Sequence, residues 1–236
     1  DNNFVRFNAT TSVMGNFAVG TTSPITQFHV TGSLPTSPVS SVATAASSDL
    51  KNSLYVQGNY AYVMNPGDDK LYIIDVSNKI NPETISSLAL SSLSDVYVQG
   101  NYAYLAGSSN LYIVDVSNPF APATVSTTGN GSTAKGVYVR GSHAYVTGDF
   151  GLNIYNIVNA AAPRLVGTLG SIDSPYDIYV QGQYAYVSDN NNHMRIIDVS
   201  DPSNPSSVST ADVGAFGLSI YAQGRYVYIA EYGLQK

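Results

Sequence analysis

The stretch Leu54-Tyr-Val-Gln-Gly-Asn-Tyr-Ala-Tyr-Val63 decides the fold, because close copies of it return at 96–105, 137–146, 178–187 and 220–229. The glycine of each copy stands at Gly58, Gly100, Gly141, Gly182 and Gly224, so the steps are 42, 41, 41 and 42 residues. In a β-rich sequence a fixed period of this length marks propeller blades, repeated sheets that bury their apolar faces against one another.

The second repeat shows how one blade is written. Val96-Tyr-Val98 is a first strand, Gly100-Asn101 a tight turn, and Tyr102-Ala-Tyr-Leu105 a second strand; turn residues between alternating apolar runs signal a hairpin. A third strand follows at Leu111–Val116, and Pro119 ends it, since proline cannot donate to a ladder. Thr124–Thr127 reads as a weaker fourth strand. The third strands Leu71–Val76, Leu111–Val116, Leu152–Val158 and Met194–Val199 are nearly solid apolar runs, which implies cover on both faces. Most of the 19 tyrosines fall on the first two strands of the repeats, where strand alternation puts them on one face as core packing with a polar tip.

Composition narrows the setting. Charged residues make up 11% of the 236, against a usual figure of about 25%. The formal net charge of −6 argues against nucleic acid or anionic lipid as a partner, since both recruit Lys and Arg. There is no cysteine, so disulfides and thiolate metal sites are excluded. No apolar run reaches the roughly 18 residues needed to span a membrane as a helix. A weakly charged, cysteine-free β protein suits an extracellular place on a cell or virion surface.

The runs Leu111-Tyr-Ile-Val-Asp-Val-Ser-Asn-Pro119, Met194-Arg-Ile-Ile-Asp-Val-Ser-Asp-Pro202 and Leu71-Tyr-Ile-Ile-Asp-Val-Ser-Asn78, each preceded by a Tyr-Ala-Tyr run, resemble the LVIVD repeat. That resemblance covers residues 37–236 and implies a β-propeller in a surface or secreted protein, with no catalytic residues to carry over. The third repeat departs from it, with Asn156 in place of the aspartate. Residues 1–36 differ: Gly15-Asn-Phe-Ala-Val-Gly-Thr-Thr-Ser-Pro24 and Gln27-Phe-His-Val-Thr-Gly32 resemble a short element of phage tail-fibre and bacterial surface-fibre stems. The resemblance implies a β stem, and a lone hairpin there needs the propeller or another chain to pair with.

The blade count does not come out whole. Four repeats are complete and a fifth stops after two strands, in mid-motif before Lys236. Pro38-Val-Ser-Ser-Val-Ala-Thr44 resembles the fourth strand that begins at Pro205, so the N-terminus could lend the last blade an outer strand. The expectation is a truncated propeller of about five visible blades that continues past Lys236, with an open edge awaiting another chain as the alternative.

Candidate chemistry rests on acids. Asp75, Asp115 and Asp198 end third strands before Ser-Asn or Ser-Asp and read as Asx turns. Loops joining second to third and fourth to first strands emerge on one face, where Asp68, Asp69, Asp95, Asp149 and Asp177 would form an acidic binding rim able to steer a cationic partner. Asp189-Asn190-Asn191 is the best loop for a cation, with Ca²⁺ the ion such oxygen ligands would take, though it lacks the EF-hand spacing. His29, His143 and His193 share no metal-ligand spacing, and nucleophile-elbow, P-loop and zinc-helix motifs do not occur. Asn8 and Asn130 head glycosylation sequons. The resulting expectation is a non-catalytic fibre or surface protein that displays a propeller for recognition or adhesion, with a surface protein or glycan as ligand. The alternative is a filament subunit that self-associates through residues 1–36, as a trimer or longer polymer. A hydrolase with its site over the propeller channel is a third reading.

Overall fold

The computed structural model describes residues 53–232 other than 66, 80, 171 and 215. The stem and self-association expected of residues 1–36 lie outside the described residues.

Each repeat folds into one antiparallel sheet whose strands neighbour each other in chain order. Blade one is β1 (Leu54–Gln57), β2 (Tyr60–Asn65), β3 (Lys70–Asp75) and β4 (Glu83–Ala89). Blade two is β5 (Leu93–Gln99), β6 (Tyr102–Gly107), β7 (Asn110–Asp115) and β8 (Ala123–Gly129). Blade three is β9 (Ala134–Arg140), β10 (His143–Gly148), β11 (Gly151–Asn156) and β12 (Arg164–Leu169). Blade four is β13 (Pro175–Gln181), β14 (Tyr184–Asp189), β15 (His193–Asp198) and β16 (Ser206–Asp212). A fifth sheet holds two strands, β17 (Phe216–Gln223) and β18 (Tyr226–Tyr232). The architecture is the all-β, propeller-type repeat fold read from the sequence, and the described residues hold four four-stranded blades and one two-stranded sheet. Among the described residues the sheets form an arc that does not close.

The inner hairpins obey the turn chemistry of the repeat. Gln57 pairs with Tyr60 across a two-residue turn, and Gly58 has φ 60° while Asn59 stays outside the left-handed region. That is the type II′ arrangement, which calls for glycine at its first position. Inner strands also carry a bulge near their start, between Leu93 and Asp95 in β5 and between Pro175 and Ile178 in β13. A bulge re-aims the side chain beside it.

The core lies between blades. Tyr62, Met64, Leu71 and Ile73 on the forward face of blade one pack against Val96, Val98, Ala103 and Leu105 on the rear face of blade two. Tyr104, Leu111 and Ile113 repeat this against Val137, Val139, Ala144 and Val146, and Tyr145, Leu152 and Ile154 against Ile178, Val180, Ala185 and Val187. The solid apolar third strands follow directly, because each inner blade has a neighbour on both sides. Burying each of these large side chains stabilises the fold by about 1.5–3 kcal/mol. In β15, Met194 and Ile196 are only half-buried, since the two-stranded sheet ahead covers just the inner part of blade four.

Candidate functional site

The inner strands bring three positions of the repeat into register across every blade joint. At the bulge stand Ser53, Asp95, Gly136, Asp177 and Ser219, one per blade. The carboxylate of Asp95 accepts the Ser53 hydroxyl of blade one at 2.6 Å, its own neighbour Val96 N–H at 2.8 Å and Val137 N–H of blade three at 2.7 Å. It therefore ties three consecutive blades. Asp177 ties blade four to the fifth sheet, accepting Ile178 N–H at 2.7 Å and Ile220 N–H of β17 at 2.9 Å. Gly136 intervenes between them because there is no room for a side chain: a Cβ there would lie 2.7 Å from Thr147 Oγ1 and 2.9 Å from the Tyr176 carbonyl. Burial pushes the Asp95 carboxyl up to about 7, and the nearby Asp177 carboxylate adds to the rise. Asp177 is raised for the same first reason.

One residue before the turn glycine, Gln57, Gln99 and Gln181 donate from Nε2 to the carbonyls of Gly100, Gly141 and Gly224 in the following blade, at 2.8, 2.9 and 3.2 Å. Arg140 fills this role in blade three through Nη1 to Gly182. Between these two positions runs a ladder of tyrosines: Tyr55, Tyr97, Tyr138, Tyr179 and Tyr221, with ring centroids 4.6, 4.7, 4.8 and 4.9 Å apart. Such tilted contacts favour the fold beyond simple area burial. Burial and the adjoining Tyr179 hydroxyl push Tyr138 up to about 12.

The remaining acids divide by partner. The Asp189 side chain is fully buried, accepts Asn191 N–H at 2.8 Å and His193 N–H at 2.9 Å, and faces Arg195 Nε at 3.2 Å. Asn190 and Asn191 form the turn around it. A guanidinium already neutralises this carboxylate, which opposes a second cation at the same oxygens. Asp68 is held by the Tyr72 hydroxyl and by Lys70 at 3.5 Å. Asp149 pairs with Lys135 at 2.7 Å, and Asp69 accepts Ser92 N–H at 2.8 Å. Of the acids named from the sequence, Asp189 is buried, Asp95 and Asp177 are half-buried and engaged at blade joints, and Asp68, Asp69 and Asp149 are exposed. Among the described residues no three His, Asp or Glu side chains group as metal ligands.

Asp75, Asp115 and Asp198 make the expected Asx turns, accepting Ser77, Ser117 and Ser200 N–H, each at 2.8 Å. The hydroxyls of the same serines, and then those N–H bonds, hold all three carboxyls below their ordinary value. The LVIVD-repeat model matches residues 51–89, 92–128, 131–170 and 174–213, more than half of the chain. The chain belongs to the LVIVD-repeat family. Its irregular third repeat keeps the family's turn, since Asn156 Oδ1 accepts Val158 N–H at 3.1 Å as an aspartate would. No curated protein matches this LVIVD-repeat chain. Among solved structures it is similar to a functionally unknown protein from Desulfotomaculum acetoxidans DSM 771, at 15% identity and TM-score 0.65, over 75% of this chain and 62% of that one. It is also similar to the computationally designed Ika8 protein, at 9% identity and TM-score 0.61, over 75% of this chain and 54% of that one. The chain thus spans less than two thirds of either, and the likeness concerns the fold.

Two features escaped the sequence. A shallow groove opens at the turn end of blades two and three, lined by Asn101, Tyr102, Tyr104, Ser142, Ile157 and Val158 and by no charged side chain. It lies at the opposite end of the strands from the loops that carry Asp68 and Asp149, and Val158 on its edge is 77% exposed. Its residues come from two repeats, and the sequence placed Val158 inside an apolar third strand covered on both faces. Asn130 is the other case: its side chain is buried and its Oδ1 accepts the Tyr155 hydroxyl at 2.8 Å, which closes that sequon to glycosylation in the folded chain.

Proposed function

We propose that this LVIVD-repeat protein is a non-catalytic recognition module of an extracellular surface or fibre, and that the groove between blades two and three receives a neutral, hydroxyl-rich ligand of the glycan class. The uncharged groove is the observation that carries the reading. Sugar rings offer an apolar face and a rim of hydroxyls. Tyr102 and Val158 supply apolar surface, and Asn101 and Ser142 supply hydrogen-bonding groups at the edge. The surface acids support this choice over a cationic partner, because Asp68 and Asp149 each already face a lysine. The inner carboxylates are engaged in joining blades, which favours a scaffold role over catalysis for them.

Binding to a panel of neutral oligosaccharides, followed by calorimetry on the best ligand, tests the reading. Asn101→Ala and Tyr102→Ala should each weaken binding about tenfold or more, a change of about 1.4 kcal/mol. A ligand whose affinity ignores both substitutions, or no binding across the panel, would refute it.

A further inference from the structure

We propose that the tyrosine ladder is an oxidative modification site, where one-electron oxidants derived from a peroxide join neighbouring rungs as dityrosine and so staple blade to blade. The inference stands apart from the groove and does not depend on its ligand. It rests on the middle rungs Tyr97, Tyr138 and Tyr179, each of which has a rung in the blade on either side.

The repeat explains why these rings meet. Each middle rung stands between two aliphatic positions of its inner strand: Val96 and Val98, Val137 and Val139, or Ile178 and Val180. Strand alternation turns the aliphatic pair to one face and the tyrosine to the other. All six aliphatic side chains are 3% exposed or less, packed against the blade behind. The clasps from Gln99 to the Gly141 carbonyl and from Arg140 to the Gly182 carbonyl hold the same strands together beside the rings. Tyr97 and Tyr138 therefore meet with centroids 4.7 Å apart at 53°, and Tyr138 and Tyr179 at 4.8 Å and 55°. Tilted rings at this separation touch edge to face. The Tyr138 hydroxyl adjoins those of both Tyr97 and Tyr179.

This packing suits radical coupling. Each tyrosine gives up one electron and its hydroxyl proton, and an adjoining hydroxyl can hand a hydrogen atom to the radical, moving the hole along the ladder. Two neighbouring radicals then form a carbon–carbon bond between positions ortho to their hydroxyls. The hydrogens on those carbons shift to the oxygens, which restores both rings and both hydroxyls. The pair has lost two electrons and two protons; hydrogen peroxide takes up both as its O–O bond breaks, leaving two waters. The chain has no cysteine or tryptophan to compete for the hole. Tyr97 and Tyr138 lie 41 residues apart in the chain, so their cross-link closes a long loop and constrains the unfolded state as a disulfide would.

Photo-oxidation of the full 236-residue chain with tris(bipyridine)ruthenium and persulfate tests this, at a concentration low enough that chains rarely meet. Persulfate, a peroxide, takes the two electrons and becomes two sulfates, and the buffer takes the protons. The product should be a monomer lighter by two hydrogens per link, and peptide mapping should join Tyr97 to Tyr138 or Tyr138 to Tyr179. Its melting temperature should rise by about 5 °C or more. Tyr138→Phe, which keeps the ring packing, should lose both links while circular dichroism stays native. The native chain oxidised in urea, where the rungs are apart, should give these links in at least about tenfold lower yield and checks the same point without a variant. A folded chain whose links avoid the rungs would overturn the proposal. So would equal yields from folded and unfolded chains, or a linked product that melts no higher than the unmodified chain.

Discussion

The middle of the arc and its ends use the same residue types at the same repeat positions, with opposite consequences. Val98 is sealed between blades one and two, while Val56, its counterpart one repeat earlier, is more than half exposed. Tyr104 is buried where Tyr228 is open. Side-chain identity is the same and the neighbour differs, so burial here belongs to the stacking of blades rather than to any one blade. This is the behaviour expected of a quasi-one-dimensional repeat array, in which stability resides largely in the interfaces between units.

The sharpest way to break that comparison is to put a charge at both counterparts. Val98→Asp should unfold the chain or cost about 3–5 kcal/mol, because a buried carboxylate without a partner replaces apolar packing. Val56→Asp should change monomer stability by no more than about 0.5 kcal/mol, as is usual for exposed sites. Urea denaturation of the two variants measures the contrast, and equal losses would show that blade one is covered after all.

A second contrast concerns the aspartates. Asp95→Ala removes the acceptor for Val137 N–H and Val96 N–H inside a joint and should cost about 1–3 kcal/mol. Asp115→Asn, at a solvent-facing Asx turn, should be nearly neutral, since Asn156 already accepts the equivalent N–H in blade three. Chemical denaturation again decides, and a neutral Asp95→Ala would remove the joint role.

These contrasts also explain what the sequence could and could not convey. Blade boundaries, the hairpin turns and the Asx turns were legible because each rests on residues close together in the chain, such as Gln57 with Tyr60 or Asp115 with Ser117. The role of Asp95 was not, because its partners Ser53 and Val137 are each a repeat away and the bulge at Leu93–Asp95 aims it toward them. Asp189 looked like a cation loop because three asparagines follow it. The counter-charge that occupies it, Arg195, comes from the next strand of the hairpin. The groove is hidden for the same reason, being assembled from two repeats. Local pattern carries the fold, while the joints and the surface concavities depend on which blade lies beside which.

The central claim is that the inner carboxylates are joints between blades, and its most direct test is the melting temperature measured from about pH 4 to about pH 8. Asp95 and Asp177 have pKa values raised by burial, so their protonated forms favour the folded state. Their contribution is present at low pH and is lost as pH rises through the folded-state value, about 7 for Asp95. The native chain should therefore melt at progressively lower temperature from about pH 4, the ordinary carboxylate value, to about pH 7, and level off above it. In the double variant Asp95→Ser, Asp177→Ser, which places at both joints the residue already present as Ser53 and Ser219, most of that decline should vanish. A folded double variant with the same decline as the native chain would contradict the account.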